Sequence, residues 1–271
     1  MAALAEVTAV LEAIAPLRLA ADWDAVGLLI GSRRATIDRV MTCLTLTEAV
    51  AREAVRERVD MIVSHHPLPF RPVGRITDDS ATGRVLLDLL GNGIAVWSSH
   101  TAWDSAAGGI NDQLAEFMQL TNVVPLGPDA VEPMVGVGRA GDAPVGSAVA
   151  DLARSLMRSL AAADASVTIA GCQIAGEATR PAGRVGIICG SGGEMVGAAQ
   201  AAGCTTFLTG EIKLHDALAA TAAGVSVIAV GHHASERFSM KVLARRLAES
   251  IPGSTCFSSR ADVDPLGWIP A

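Results

Sequence analysis

Tyrosine does not occur in this 271-residue chain, and all aromatic residues together make up 3% of it. A core must therefore be built from Ala, Val, Leu and Ile, many small side chains rather than a few large rings. No CxxC pair is present. The five cysteines, Cys43, Cys172, Cys189, Cys204 and Cys256, are odd in number and widely spaced, which reads as buried free thiols rather than a disulfide framework. No apolar run free of charge and glycine reaches the roughly 18–20 residues of a membrane span. The first residues carry Glu6 and Glu12 where a secretory signal would carry basic ones. There is no GxSxG, and no cysteine stands beside a histidine, so covalent catalysis has no support. A net charge of −7 argues against a nucleic-acid surface. These absences describe a soluble, cytoplasmic protein with no membrane or nucleic-acid partner.

Half of the residues are hydrophobic and 18% are charged, a balance that excludes disorder and supplies an ample core. The length suits one large domain or two smaller ones. Helical and strand patterns alternate throughout, the α/β signature. In the first half, a helix near Leu4–Ala15 precedes strands at Val26–Ile30 and Val40–Leu46. Thr47 is placed to cap a helix running to about Arg58. Met61–Val63 is a short apolar strand ending at Ser64-His65-His66-Pro67, and Ile94–Ser98 is another ending at His100. The second half repeats the order, with strands expected at Val167–Ala170, Val185–Cys189, Thr205–Leu208 and Val225–Val230, and a last strand after Ile251. We expect two similar α/β halves, residues 1–125 and 126–271, with the boundary in the proline-interrupted stretch 121–146. Each half would carry a central sheet flanked by helices, and the site would lie in the cleft between them.

Histidine is scarce, and all six residues fall in four short segments at strand ends or helix starts: His65 and His66, His100, His215, and His232 and His233. In open α/β sheets ligands bind outside the carboxyl ends of the strands. Asp104 follows His100 by four residues, and Glu236 follows His232 by the same spacing. Glu211 and His215 show it in reverse order. A His-His pair or a Glu–His pair alone reads as packing or a helix-face contact. Their joint placement at strand ends points to a metal site. Imidazole with carboxylate suits Zn, Fe, Mn or Ni, and this many donors suit two metals better than one. Gly190-Ser191-Gly192-Gly193 before a helix reads either as an anion cradle or as a tight turn.

The chain resembles the GTP cyclohydrolase I type 2 homologue family, proteins with a dinuclear metal centre that form toroidal hexamers. The resemblance rests on Trp23-Asp24-Ala25-Val26-Gly27-Leu28, His65-His66-Pro67-Leu68 with Phe70, and His100-Thr101-Ala102-Trp103-Asp104. It continues through Gly190-Ser191-Gly192, Thr209-Gly210-Glu211 with His215, and Gly231-His232 with Glu236. It implies metal ligands at His65, His66, Asp104, His232 and Glu236, the set also suggested by spacing. It gives Glu211 and His215 supporting or substrate roles. Ala25, Ala102-Trp103 and His233 depart from the residues usual in the family, and the length matches its short form, without an inserted domain. A metal-dependent hydrolase acting on a nucleotide or related small molecule is the expected function, two divalent ions its cofactors, and a homohexamer its assembly. A free imidazole, His100, His215 or His233, would relay protons. The competing class is a non-catalytic metal-binding, metallocofactor-handling or regulatory protein using the same ligands.

Overall fold

Short apolar strands separated by amphipathic helices leave the chain few options besides layered α/β packing, and a computed structural model shows that packing for residues 2–167 and 169–267. In chain order the first elements are α1 (Leu4–Ile14), β1 (Gly27–Ile30), β2 (Arg39–Cys43), α2 (Glu48–Arg56), β3 (Met61–Ser64), α3 (Ala81–Gly91) and β4 (Ala95–Ser98). Then come α4 (His100–Ser105), α5 (Ile110–Phe117), β5 (Thr121–Val124), β6 (Gly127–Pro128), β7 (Gly136–Val137), β8 (Arg139–Asp142) and α6 (Val149–Ala163). The remainder is β9 (Gln173–Ala175), β10 (Arg184–Ile188), α7 (Val196–Ala201), β11 (Thr206–Thr209), α8 (Leu214–Ala222), β12 (Ser226–Ala229), α9 (His232–Glu236), α10 (Ser239–Ser250) and β13 (Thr255–Ser258).

The first unit comprises the chain up to Trp103 together with Ser239–Val263. Its sheet has the order β1-β4-β3-β2-β13, parallel except for the antiparallel edge strand β1. β3 and β4 are buried along their whole length, as expected of parallel strands covered on both faces. Helices α2 and α3 supply Val50, Ala51, Ala54, Val85, Leu86 and Leu89 to a core with Met41, Ile62 and Val96. Thr47 caps α2 as its spacing predicts, accepting from Val50 N at 3.3 Å. Trp103 is fully buried, and its indole N–H donates to Ser239 Oγ at 2.9 Å.

The second unit is Asp104–Phe238 with the residues after Val263. Its sheet runs β5-β8-β10-β11-β12-β9; the central three strands are parallel and the flanking ones antiparallel. Phe207, Val225, Val227, Ala199 and Cys204 form its core. The buried guanidinium of Arg139 is satisfied by Asp112 and by the carbonyls of Gly136 and Gly138 at 2.8 and 2.7 Å. Each unit thus holds a parallel trio, β2-β3-β4 and β10-β11-β12, and a short helix opened by histidine follows the last strand of each trio.

Two expectations are corrected. The chain does not divide within 121–146. It leaves the first unit inside α4 and returns at α10, because β13 pairs in parallel with β2 and the loop beyond it is bound by first-unit groups. Glu53 accepts from Ser259 Oγ and from the amides of Arg260 and Ala261, and Asp262 accepts from Leu44 N at 2.6 Å. The stretch expected as a linker supplies β5 and β8 to the second sheet. Nor is Val167–Ala170 a strand. Thr168 lies outside the described residues, and Val167 is buried in the turn after α6, its amide bonded to Asp164 O. Its hydrophobicity reports burial, and the strand is Gln173–Ala175 instead.

Candidate metal centre

His65 and His66 extend the chain just past β3, and the sheet fixes their backbone. Their amides donate to Cys43 O and Leu44 O at 2.8 and 2.9 Å, and Ser98 Oγ donates to His65 O at 2.7 Å. His100 opens α4 just past β4, with a positive φ of 22°, a conformation a non-glycine residue holds only when its surroundings enforce it. The three rings meet with centroids 5.1–5.5 Å apart, and one nitrogen from each lies within 4.8 Å of the others. A hydrogen bond to Thr45 Oγ1 at 2.8 Å orients His66 through Nδ1. His100 Nδ1 donates to Asp24 Oδ1 at 2.8 Å, while Thr101 donates its amide and hydroxyl to Asp24 Oδ2 at 3.1 and 2.6 Å. Burial alone would raise the Asp24 carboxyl, but the hydrogen bonds and charge of His100 and Thr101 outweigh it and hold the group below the usual carboxylate value. A carboxylate behind an imidazole in this way sets its tautomer and raises its donor strength.

The second unit gathers an acidic group. His232 at the start of α9 sits between Glu236, 3.2 Å from its Nε2, and Glu211, 3.3 Å from its Nδ1. The Glu236 hydrogen bond is the main cause, and with Glu211 it lifts the imidazole to about 9 against the cost of burial. Gly190 makes room for the pair: a Cβ there would collide with Glu236 Oε1 and lie 3.2 Å from His232 Nε2. Asn111 ties α5 to this region, its amide donating to Asp104 O at 3.0 Å and its carbonyl accepting from Cys189 N at 2.9 Å. Cys189 is fully buried beside Asp104 and Glu236. Burial first, then the two carboxylates, push its thiol well above the ordinary value.

These donors fit the divalent ions anticipated from the sequence: imidazoles with one carboxylate-backed member, and carboxylates whose present partner is a protonated imidazole. Of the expected residues, His65, His66 and His100 come together in the first unit, and His232, Glu236 and Glu211 in the second. His215 stays exposed on α8 outside that group, and His233 is buried. The glycine segment is a tight turn, not an anion cradle: Gly190 N donates to Ser235 Oγ and Gly192 N to Thr209 Oγ1. An open cavity of about 410 Å³ adjoins Glu211, lined by Ser191, Gly193, Glu194, Lys213 and Asp216. A larger one of about 480 Å³ lies at the opposite ends of β2 and β3, among Arg34, Arg39 and Asp60, away from the imidazoles.

Spacing marks neither Thr45 nor Cys189 as part of the site, and Asp24 and Thr101 stand only within the segments that carry the resemblance. Asp24 caps α4 from 77 positions away, a separation that leaves no trace in spacing.

The arrangement has known relatives. NIF3-like protein 1 of Drosophila melanogaster is 34% identical over 267 residues, covering 97% of this chain and 88% of that protein. A Clostridium perfringens protein named GTP cyclohydrolase 1 type 2 homolog is 28% identical over 98% of this chain and 99% of its own. A solved Staphylococcus aureus hypothetical protein superposes with a TM-score of 0.85 at 26% identity, covering 98% of both chains. A Bacillus cereus protein related to NIF3 shares the fold with a TM-score of 0.88 at 20% identity over 98% of both chains. With the family's sequence pattern matching residues 2–265, the chain belongs to the Duf34/NIF3 (NGG1p interacting factor 3) family.

Proposed function

We propose that the protein is a metal-dependent hydrolase in which His65, His66, Asp104, His232 and Glu236 hold two divalent ions, with a nucleotide or related small molecule as substrate. The observation that carries the reading is the triple imidazole cluster of His65, His66 and His100 at the carboxyl ends of parallel strands. Two of these rings are the proposed donors, and the third, His100, backed by Asp24, stands beside them to carry protons. The name of the Clostridium perfringens relative supports the nucleotide class. Two ions bound there would supply Lewis acidity toward a substrate oxygen and toward water. The chain's own residues do the rest. Thr45 and Asp24 fix the ring orientations of His66 and His100. His100 accepts or returns a proton through Nε2 while Asp24 keeps the proton on Nδ1. Glu211 holds the second ring nitrogen of His232. We further propose a cytoplasmic homohexamer, which light scattering would test; among the described residues no helix is long and apolar enough to cross a membrane.

The test is metal content and turnover measured together on the wild type, His65→Ala and Glu236→Ala. Loss of metal and of metal-dependent nucleotide hydrolysis in both variants is expected. Metal retained in both would overturn the ligand assignment. Tight metal binding by the wild type with no turnover of any nucleotide would leave only the metal-handling role.

A further inference from the structure

Aromatic side chains are few here, and most of those among the described residues are wholly or partly buried. Trp97, Trp103, Phe207 and Phe238 are buried, and Phe117 and Phe257 are partly so. Among the described residues, only Trp23 and Phe70 are aromatic and open to solvent, at 67% and 57% exposure. Single exposed apolar residues are ordinary, but these two come from segments 47 positions apart and meet with centroids 6.5 Å apart. Both also meet the same imidazole. His100 lies 6.0 Å from Trp23 and 6.4 Å from Phe70, edge-on to each. Each aromatic also stands close in sequence to a residue that belongs to the cluster or is bonded to it. Trp23 precedes Asp24, which His100 and Thr101 bind, and Phe70 lies four residues after His66, which Thr45 orients.

We propose that Trp23 and Phe70 form a stacking corner that binds the ring of a planar heteroaromatic ligand, a nucleobase or a ring of similar shape, beside the His65–His66–His100 cluster. A ring laid against exposed aromatic faces gains stacking whatever its edge pattern, so the corner selects for planarity. The edge-on His100 then faces the ligand's margin and connects the corner to the imidazoles. This deepens the hydrolase reading by giving the ring of its nucleotide-like substrate a place to bind, and it rests on that reading only for what happens to the bound ring.

The experiment is calorimetric titration of the metal-loaded protein with guanosine monophosphate and with ribose 5-phosphate, which lacks the ring. The wild type, Trp23→Leu and Phe70→Leu are compared, with oligomer mass and metal content measured on each. Both positions are exposed, so the variants should fold normally. Guanosine monophosphate should bind at least about ten-fold more tightly than ribose 5-phosphate, and each substitution should weaken it about ten-fold. Metal content and mass should not change. Equal affinity for the two probes, no binding of either, or variants that bind guanosine monophosphate as the wild type does would overturn the proposal. A change of oligomer mass with that affinity intact would also overturn it, assigning the pair to a contact between copies of the chain. The two readings fail separately. Ring-dependent binding without turnover would sink the hydrolase and keep the corner; metal-dependent turnover indifferent to both substitutions would do the reverse.

Discussion

Asp24 shows how much of this centre depends on a residue that would touch no metal. Its carboxylate takes three hydrogen bonds, two from Thr101 and one from His100. Replacing it by Asn keeps the shape and removes the charge that favours the Nδ1–H tautomer. Asp24→Asn should lower metal-dependent turnover by about 100-fold through the proton step at His100, with metal content and the circular dichroism spectrum unchanged. His232 gives a second prediction through its raised value of about 9. A folded-state value above the unfolded one means that the Glu236 and Glu211 contacts stabilise the metal-free protein fully below about 6.5 and cease to do so as pH rises through about 9. After chelation, the melting difference between wild type and His232→Ala should therefore shrink from pH 6 to pH 10. It should be small throughout, since the ring is 36% exposed and solvent screens it. Metal entering at pH 7.5 must displace this proton, so the calorimetric enthalpy of binding should vary with the buffer's ionisation enthalpy.

At the scale of elements, the loop after β13 is clasped to the first unit by one buried helix carboxylate, beside the β13–β2 pairing. Glu53 is only 3% exposed and accepts from Ser259 Oγ, Arg260 N at 3.0 Å and Ala261 N at 3.0 Å. Burial alone would raise its carboxyl, but these donors hold it below the usual value. A depressed value stabilises above the ordinary carboxylate range, and that stability is lost as pH falls through the folded value. Glu53→Ala should cost at least about 2 kcal/mol in urea unfolding at neutral pH, because buried donors lose their acceptor. The penalty should fade in acid. The clasp also shows where the sequence stops being informative. The capping of α2 by Thr47 and the apolar strands ending at His65 and His100 are local, and periodicity with turn chemistry captures them. That β13 joins β2 across more than 200 residues is a matter of which edge is open, and nothing in Thr255–Ser258 names its partner. Hence the sequence predicts a last strand after Ile251, while its pairing with β2 puts that strand in the first unit. Val167 misled for a related reason, since apolar character marks burial equally in a turn and in a strand.

For the whole molecule, metal binding and folding are linked: an ion that binds only the folded chain stabilises it by RT ln(1 + [M]/Kd), about 2.7 kcal/mol at a hundred-fold excess over Kd. The net charge of −7 favours cation uptake at low salt, and salt screens that term without removing the coordinate bonds. The chain supplies imidazoles from one unit and His232 with two glutamates from the other, so two arrangements make different thermal predictions. If His65, His66, Asp104, His232 and Glu236 serve a common pair of ions, then either His65→Ala or Glu236→Ala should erase the whole metal-dependent rise in melting temperature. Chelation should leave both variants unchanged. If each unit binds its own ion, each variant would forfeit only part of the rise and still respond to chelator. Differential scanning calorimetry of the three proteins, each with and without chelator at pH 7.5, separates the cases. Complete loss in both variants is the outcome that the proposed ligand set requires.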